Sequence, residues 1–334
     1  MKPVGIVDLQ HYAPPGFMTA DEIAAASGIP AEVIRARFGL AGKHISREDE
    51  HVSDMCISAA RPLVERNDPS RIDAVIYFGS HWKDRGIWQV APKVQHALGI
   101  EGFSLETINV SAGTPFALKV VRDMLRSDEH LDTILLVGAA KESRLIDFAN
   151  PRVRFAFNFG DGAVAVLLRR GHARNEVLAS AMLTDGSFTD HVHVPAGGSI
   201  EPASHETVDA GRHYLDVTDP DDMKARLDPI TMKNFLKVAD EALERSGYER
   251  DDISLFLPIH MKRSIHDALL TELGVPASRA VYLDHYGHMS AIDPLLGLSL
   301  ARDSGLVGDG DVILALAAGT GYSWAATVLR WGAS

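Results

Sequence analysis

Ile108-Asn109-Val110-Ser111-Ala112-Gly113-Thr114-Pro115-Phe116-Ala117-Leu118 joins a strand-forming run to a helix-forming one. Upstream, Phe103 to Asn109 predicts a strand. Downstream, Ala112 to about Arg126 predicts a helix. The elements on either side extend the same alternation. Ile72 to Phe78 predicts a strand, followed by a helix ending in Ala97-Leu98-Gly99-Ile100, and Asp132 to Val137 predicts the strand after the central helix.

This order occurs twice. The second series has a strand at Asp252 to Pro258 and a helix ending in Glu272-Leu273-Gly274-Val275. A strand at Ala280 to Asp284, a helix from Ala291 to Ser304 and a strand at Asp311 to Ala317 complete it. Strands alternating with helices imply parallel βαβ units with both sheet faces covered. The period is far longer than a solenoid unit, so the chain reads as two duplicated halves, residues 1–171 and 172–334, meeting near Gly171-His172-Ala173-Arg174. A polar stretch from Asp185 to Asp228 reads as a covering loop region of the second half. In this alignment Ser111 and His288 fall in one slot, after the central strand and before the central helix. A pseudo-twofold axis would bring both helix N-termini, with their unpaired N–H groups, to one site.

Composition narrows the function classes. The chain has 334 residues, 46% of them hydrophobic, as in an ordinary globular protein. A formal net charge of −12 argues against nucleic-acid binding. A single cysteine, Cys56, rules out an intrachain disulfide framework and a cysteine-based metal site, and fits a reducing cytoplasm. Cys56 sits in a helical segment and reads as a buried small hydrophobe. The N-terminal MKPVGIVDLQHYAPPG lacks a long apolar core, so no secretory leader is expected. No window approaches ~18 uninterrupted apolar residues, so no membrane span is expected.

Three further segments carry a family resemblance. They are Phe159-Gly160-Asp161-Gly162-Ala163, then Pro195-Ala196-Gly197-Gly198-Ser199 with Pro202-Ala203-Ser204 and His213-Tyr214-Leu215, and finally Gly319-Thr320-Gly321-Tyr322-Ser323-Trp324. In this order and spacing the chain resembles, over nearly its whole length, the β-ketoacyl-ACP synthase III branch of the thiolase superfamily. The resemblance implies a thiolase-like layered αβαβα fold, a homodimer, and acyl-CoA or acyl-phosphopantetheine as substrate with no bound cofactor and no metal. It also implies an acyl carrier protein as partner.

The departures from that family are as informative as the matches. Its acyl-carrying Cys-Ala-Gly is Ser111-Ala112-Gly113 here, and its Gly-Asn-Thr-Ser-Ala is Gly287-His288-Met289-Ser290-Ala291. The family's catalytic His is retained as His260. Ser111 alone would be an ordinary helix N-cap. A hydroxyl needs a stronger base than a thiol does to attack a thioester, and the Asn-to-His change supplies one. Ser111, His288 and Asp293 are therefore read as a Ser-His-Asp triad, with Asp284 as the alternative orienter of His288. Asp293 reaches His288 only if His288 precedes the helix. The pair of changes resembles serine-containing acyltransferases and starter-unit synthases of polyketide antibiotic pathways.

By the same resemblance the amides of Ser111 and Thr320 form the oxyanion hole and His260 is a second donor or base. Lys262, Arg263, Arg152 and Arg154 are the expected contacts to carrier protein or coenzyme A. The Trp that stacks on adenine in many relatives aligns with Val33, which tilts the donor toward a carrier protein. His285, His44 and His81 read as structural or surface residues, and His191 and His193 lie in the covering region within possible reach of the site. The function expected is acyl transfer through an acyl-Ser111 ester to a small-molecule hydroxyl or a thiol. A decarboxylating condensing enzyme and a non-catalytic partner subunit are the alternatives.

Overall fold

The computed structural model describes residues 2–333. Nine strands form one mixed sheet: β1 Val4–Tyr12, β2 Ala74–Tyr77, β3 Phe103–Glu106, β4 Thr133–Ala140, β5 Gly162–Arg170, β6 Glu176–Thr184, β7 Ile253–Pro258, β8 Val312–Gly319 and β9 Ser323–Arg330. Their order is β7-β8-β9-β6-β1-β5-β4-β2-β3. Each end of this order is parallel, β3–β2–β4 and β7–β8, and becomes antiparallel toward the middle. The middle is thin, because β1 and β6 share only the pair Gly5↔Glu176. Two half-sheets of like order are thus joined along one edge.

Six helices complete the layers: α1 Val52–Arg66, α2 Val90–Ala97, α3 Gly113–Ser127, α4 Pro220–Ser246, α5 Arg263–Leu273 and α6 Asp293–Asp303. Strand side chains alternate between two apolar environments. In β4, Ile134 and Leu136 face the cluster shared with α3 and α6, whereas Leu135 and Val137 face the cluster under α1 and α2. In the second half, Ile313 and Ala315 of β8 join the central cluster, and Leu314 and Leu316 pack under α4 and α5. Helices α3 and α6 lie between the half-sheets and touch strands of both. The result is the thiolase-like αβαβα layering.

Three expectations need correction. Ala280 to Asp284 is not a strand, since it makes a single bridge, Phe256↔Ala280. The Leu283 carbonyl accepts from the amides of Tyr286 and Gly287, and this turns the chain away from the ladder. The covering stretch is shorter than Asp185 to Asp228, because α4 already begins at Pro220. Asp219 caps that helix and accepts from the Asp222 amide, with Pro220 at the first helical position. What remains is a small ribbon, Val192–His193 paired with Asp216–Val217, and a short helix, His205–Asp209.

The third correction concerns register. Each central helix is preceded by a 3₁₀ turn, Val110–Ala112 before α3 and Ser290–Ile292 before α6. The first residue of each turn has positive φ, +40° at Val110 and +53° at Ser290. Ser111 therefore matches Ala291, and His288 lies three residues upstream of that slot. Sequence comparison aligned residue types, whereas the backbone repeats through a turn that different side chains occupy.

Candidate active site

The two 3₁₀ turns meet. Thr114 Oγ1 donates to the Ala291 carbonyl at 2.6 Å. A Cβ on Gly113 would lie 2.7 Å from the Ala291 Cβ, so glycine is what allows this approach. Ser111 stands at the junction, nearly buried, at the mouth of α3.

Ser111 Oγ lies 2.7 Å from His288 Nε2, and His288 Nδ1 lies 2.6 Å from Asp293 Oδ2. Nδ1 faces a carboxylate and so carries the hydrogen. Nε2 is left as the lone pair that accepts from Ser111. His288 sits ahead of the turn and Asp293 is the first residue of α6, so the chain between them folds back and the five-residue separation closes. Asp284 does not orient His288. Its backbone carbonyl accepts from the amides of Ala41 and Gly42.

Asp293 is fully buried, which for a carboxylate is costly without partners. Three N–H groups offset that cost. They come from the His288 ring, the His260 backbone amide at 2.7 Å, and the Met289 amide at 2.7 Å. The positive end of α6 adds to them. His288 is fixed further by its own backbone: its amide donates to Asn158 O (2.8 Å), and its carbonyl accepts from Gly160 (3.0 Å). The Phe159 ring meets the imidazole edge-on, 5.1 Å between centroids.

His260 reaches the same carboxylate through its backbone, but its ring is committed elsewhere. Nε2 donates to the Gly39 carbonyl at 3.2 Å, so Nδ1 is the acceptor and takes the Asn158 Nδ2 hydrogen at 2.8 Å. Burial pushes its pKa down to about 4, and the ring is neutral. This departs from the expected second donor or base, since both ring nitrogens already have protein partners. Asn158, which sequence reasoning did not single out, is the hinge of this arrangement. Its adjacency to Phe159-Gly160 was the available signal.

Ser111 opens onto a cavity of about 390 Å³, whose walls also include Thr320, Glu142, His81 and His193. Leu145, Phe159, Val192 and Leu215 give it an apolar lining. Thr320 thus shares a cavity with Ser111. A Cβ on the adjacent Gly319 would come within 2.9 Å of the Ser111 amide nitrogen. The β8–β9 turn therefore runs backbone to backbone against the turn that carries Ser111. His81 and His193, expected as a structural or surface residue and as a covering residue, both border the cavity, whereas His191 pairs with Asp222 at 2.9 Å.

A second, larger hollow of about 790 Å³ is bordered by Val33, Arg37, Arg154, Lys262 and Arg263. Arg152 is not among them. It donates to the Thr218 carbonyl at 3.0 Å and to Val217 O, and pairs with Asp216, so it braces the covering ribbon instead. Cys56 is buried in the cluster under α1, and burial pushes its thiol up. Among the described residues no His, Cys, Asp and Glu group has a metal-site arrangement, and no helix is long and apolar enough to cross a membrane.

Known proteins share this architecture. Residues 105–186 match the family model described as 3-oxoacyl-[acyl-carrier-protein (ACP)] synthase III, and residues 243–331 match its C-terminal counterpart. The β-ketoacyl-[acyl-carrier-protein] synthase III of Cereibacter sphaeroides is 30% identical over 330 residues, 96% of this chain and 97% of that one. The enzyme of the same name from Syntrophomonas wolfei is 29% identical over 333 residues, 98% of each chain. The solved synthase III of Thermus thermophilus superposes with a TM-score of 0.84 at 27% identity, covering 99% of this chain and 100% of that one. The chain belongs to the 3-oxoacyl-ACP synthase III family of thiolase-fold enzymes, with a Ser111–His288–Asp293 hydrogen-bonded chain at its centre.

Proposed function

We propose that this enzyme transfers an acyl group through an acyl-Ser111 ester. The donor is a thioester on an acyl carrier protein or coenzyme A, and the acceptor is a hydroxyl or a thiol. The observation that carries the reading is the continuous chain from Ser111 Oγ through His288 to Asp293, at 2.7 and 2.6 Å. His288 Nε2 takes the Ser111 proton as Oγ bonds to the thioester carbon. The oxyanion is held by the amides of Ser111 and Thr320. Collapse breaks the C–S bond, and the leaving thiolate takes the proton from His288. The acceptor then enters, His288 removes its proton, and collapse of the second adduct returns that proton to Ser111.

Decarboxylative condensation is the second reading, and one observation weighs against it. Condensation needs donors for an enolate oxygen. The His260 ring donates to Gly39, and His288 must accept from Ser111. Incubation with acyl-CoA and acyl carrier protein thioesters, read by intact mass and peptide mapping, should place the acyl group on the Ser111 peptide. Labelled CO2 release from malonyl-ACP at a rate comparable to transfer would establish condensation instead. No adduct with any donor would leave a non-catalytic partner subunit.

The basic hollow around Arg154, Lys262 and Arg263 fits the approach of a phosphopantetheine donor or an acidic carrier; Val33 stands in its wall together with Phe38 and Phe155. We place the enzyme in the cytoplasm, in polyketide or other secondary metabolism. We expect a homodimer, supported by the edge strand β3, whose Phe103 is 46% exposed. Light scattering in solution tests that state.

A further inference from the structure

The acyl cavity contains a charge-bearing group that the triad chemistry does not use. Glu142 lies two residues beyond the end of β4 and lines the cavity together with Ser111. Its Oε2 is buried and has no hydrogen-bond partner. Among the described residues no cation pairs with it. The neighbouring Lys141 donates to the carbonyls of Arg47 (3.1 Å) and Glu48 (3.2 Å), and Arg144 donates to that of Ser46 (3.0 Å). The Ser80 hydroxyl donates to the Trp82 carbonyl at 3.0 Å. Burial pushes the pKa of Glu142 up. The cavity wall that it joins is largely apolar, with Leu145, Val192, Val194, Leu215 and Phe159, and carries His81 and His193 as its other titratable groups.

An unpaired carboxyl in such a wall is unfavourable with a plain alkyl chain against it, because that chain excludes water and offers no hydrogen bond in return. It becomes favourable when the occupant brings a donor. We infer that Glu142 sets acyl specificity by accepting a hydrogen bond from a hydroxyl or amino substituent on the acyl chain, so that the preferred donors are hydroxyacyl or aminoacyl thioesters. The inference deepens the acyl-transfer reading and rests on it for the word "acyl". The same side chain excludes unsubstituted alkanoyl groups, since a site built around a polar partner discriminates against the analogue that lacks it.

The test uses butyryl-CoA and its analogues carrying a hydroxyl or an amino group at C2 or C3. Rates of adduct formation on Ser111 are read by intact mass. Binding of the same thioesters to Ser111→Ala is read by calorimetry. At least one substituted analogue should exceed butyryl by roughly 10-fold or more in both assays, on the scale of one buried hydrogen bond to a carboxyl. Glu142→Leu should reverse the order. Glu142→Gln should keep a preference for the hydroxyl analogue and lose one for the amino analogue, which separates the two sources of the hydrogen bond. Equal handling of butyryl and every analogue, or an unchanged ratio in Glu142→Leu, would overturn the inference. A preference that persists in Ser111→Ala binding while no variant forms an adduct would support Glu142 and sink the acyl-serine reading.

Discussion

The turn at Val110–Ala112 and the turn at Ser290–Ile292 are one backbone device used for two purposes. Each is a 3₁₀ turn that opens on a residue of positive φ and feeds a central helix. The first places its chemistry in the middle of the turn, at Ser111. The second has Ala291 in that place and moves its chemistry to the flanks, His288 before it and Asp293 after it. The backbone geometry of the two turns matches, and their side chains differ. The pairing is complementary: Ala291 is small where Gly113 must approach, and His288 reaches across to Ser111.

Removing the proposed nucleophile is the most severe way to break this division. Ser111→Ala should abolish the covalent adduct, read as loss of added mass on its peptide. An adduct that persisted, or one on Cys56, would mean that the chemistry lies elsewhere. Ser111→Cys should retain acylation, since a thiol depends less on a base.

On the other side of the comparison, His288→Asn should slow acylation by roughly 10³-fold or more. Unchanged acylation would shift the base to His260. Asp293→Asn should cost about 10²–10⁴-fold through loss of the Nδ1–H tautomer. It should also lower stability by about 1–3 kcal/mol, because three buried N–H groups converge on that carboxylate and an amide supplies only one acceptor. Denaturant unfolding of both variants separates the effects, since His288→Asn leaves the Asp293 bonds to the amides of His260 and Met289 in place.

Much of this contrast was legible in the sequence. Apolar runs and turn residues located most strands and helices, because strands such as β2 and β4 are buried on both faces and helices such as α4 and α5 end at a glycine. Ser111, His288 and Asp293 were legible as departures from a family pattern. The roles of Asn158 and Glu142 were not. One is defined by a ring 102 residues away and the other by the cavity wall that it joins, and neither leaves a local periodicity. The commitment of the His260 ring to Gly39 and Asn158 was invisible for the same reason. The failed strand at Ala280 to Asp284 had suitable residues, but the turn at Leu283 outcompeted the ladder.

Burial disfavours the charged form of histidines in both halves, His11 and His81 in the first and His260 and His266 in the second. His260, in the second half, has its pKa pushed down to about 4 by burial, against an ordinary value near 6.5. An unfolded chain therefore binds a proton that the folded one refuses between those values. Stability from this group is complete above about pH 6.5 and falls as pH drops toward 4, by roughly 3 kcal/mol at most. His266 on α5, likewise pushed down to about 4, adds a slope of the same sign. Urea titrations at pH 7 and pH 4.5 should show a smaller loss for His260→Gln than for wild type. An equal loss would place the acid sensitivity elsewhere.

The smallest expected effect sharpens the comparison most directly, because it concerns the shared backbone alone. Positive φ costs a branched residue more than an unbranched one. Val110, at +40°, is branched at Cβ, and Ser290, at +53°, is not. Glycine relieves that cost but gives the unfolded chain more freedom to lose, so the two terms partly cancel. Val110→Gly should therefore raise stability by about 1 kcal/mol or less, and Ser290→Gly by less again, measured as the shift in the urea midpoint. Acylation should respond in the opposite order of benefit. Val110 is the covalent neighbour of Ser111, the proposed nucleophile, and loosening it lets Ser111 Oγ drift from His288, for a loss of roughly several-fold. Ser290 lies two residues from His288 and is tied to it only through Met289, so the loss there should be smaller. A larger loss at Ser290 than at Val110 would show that the base, and not the nucleophile, depends on the rigidity of its turn.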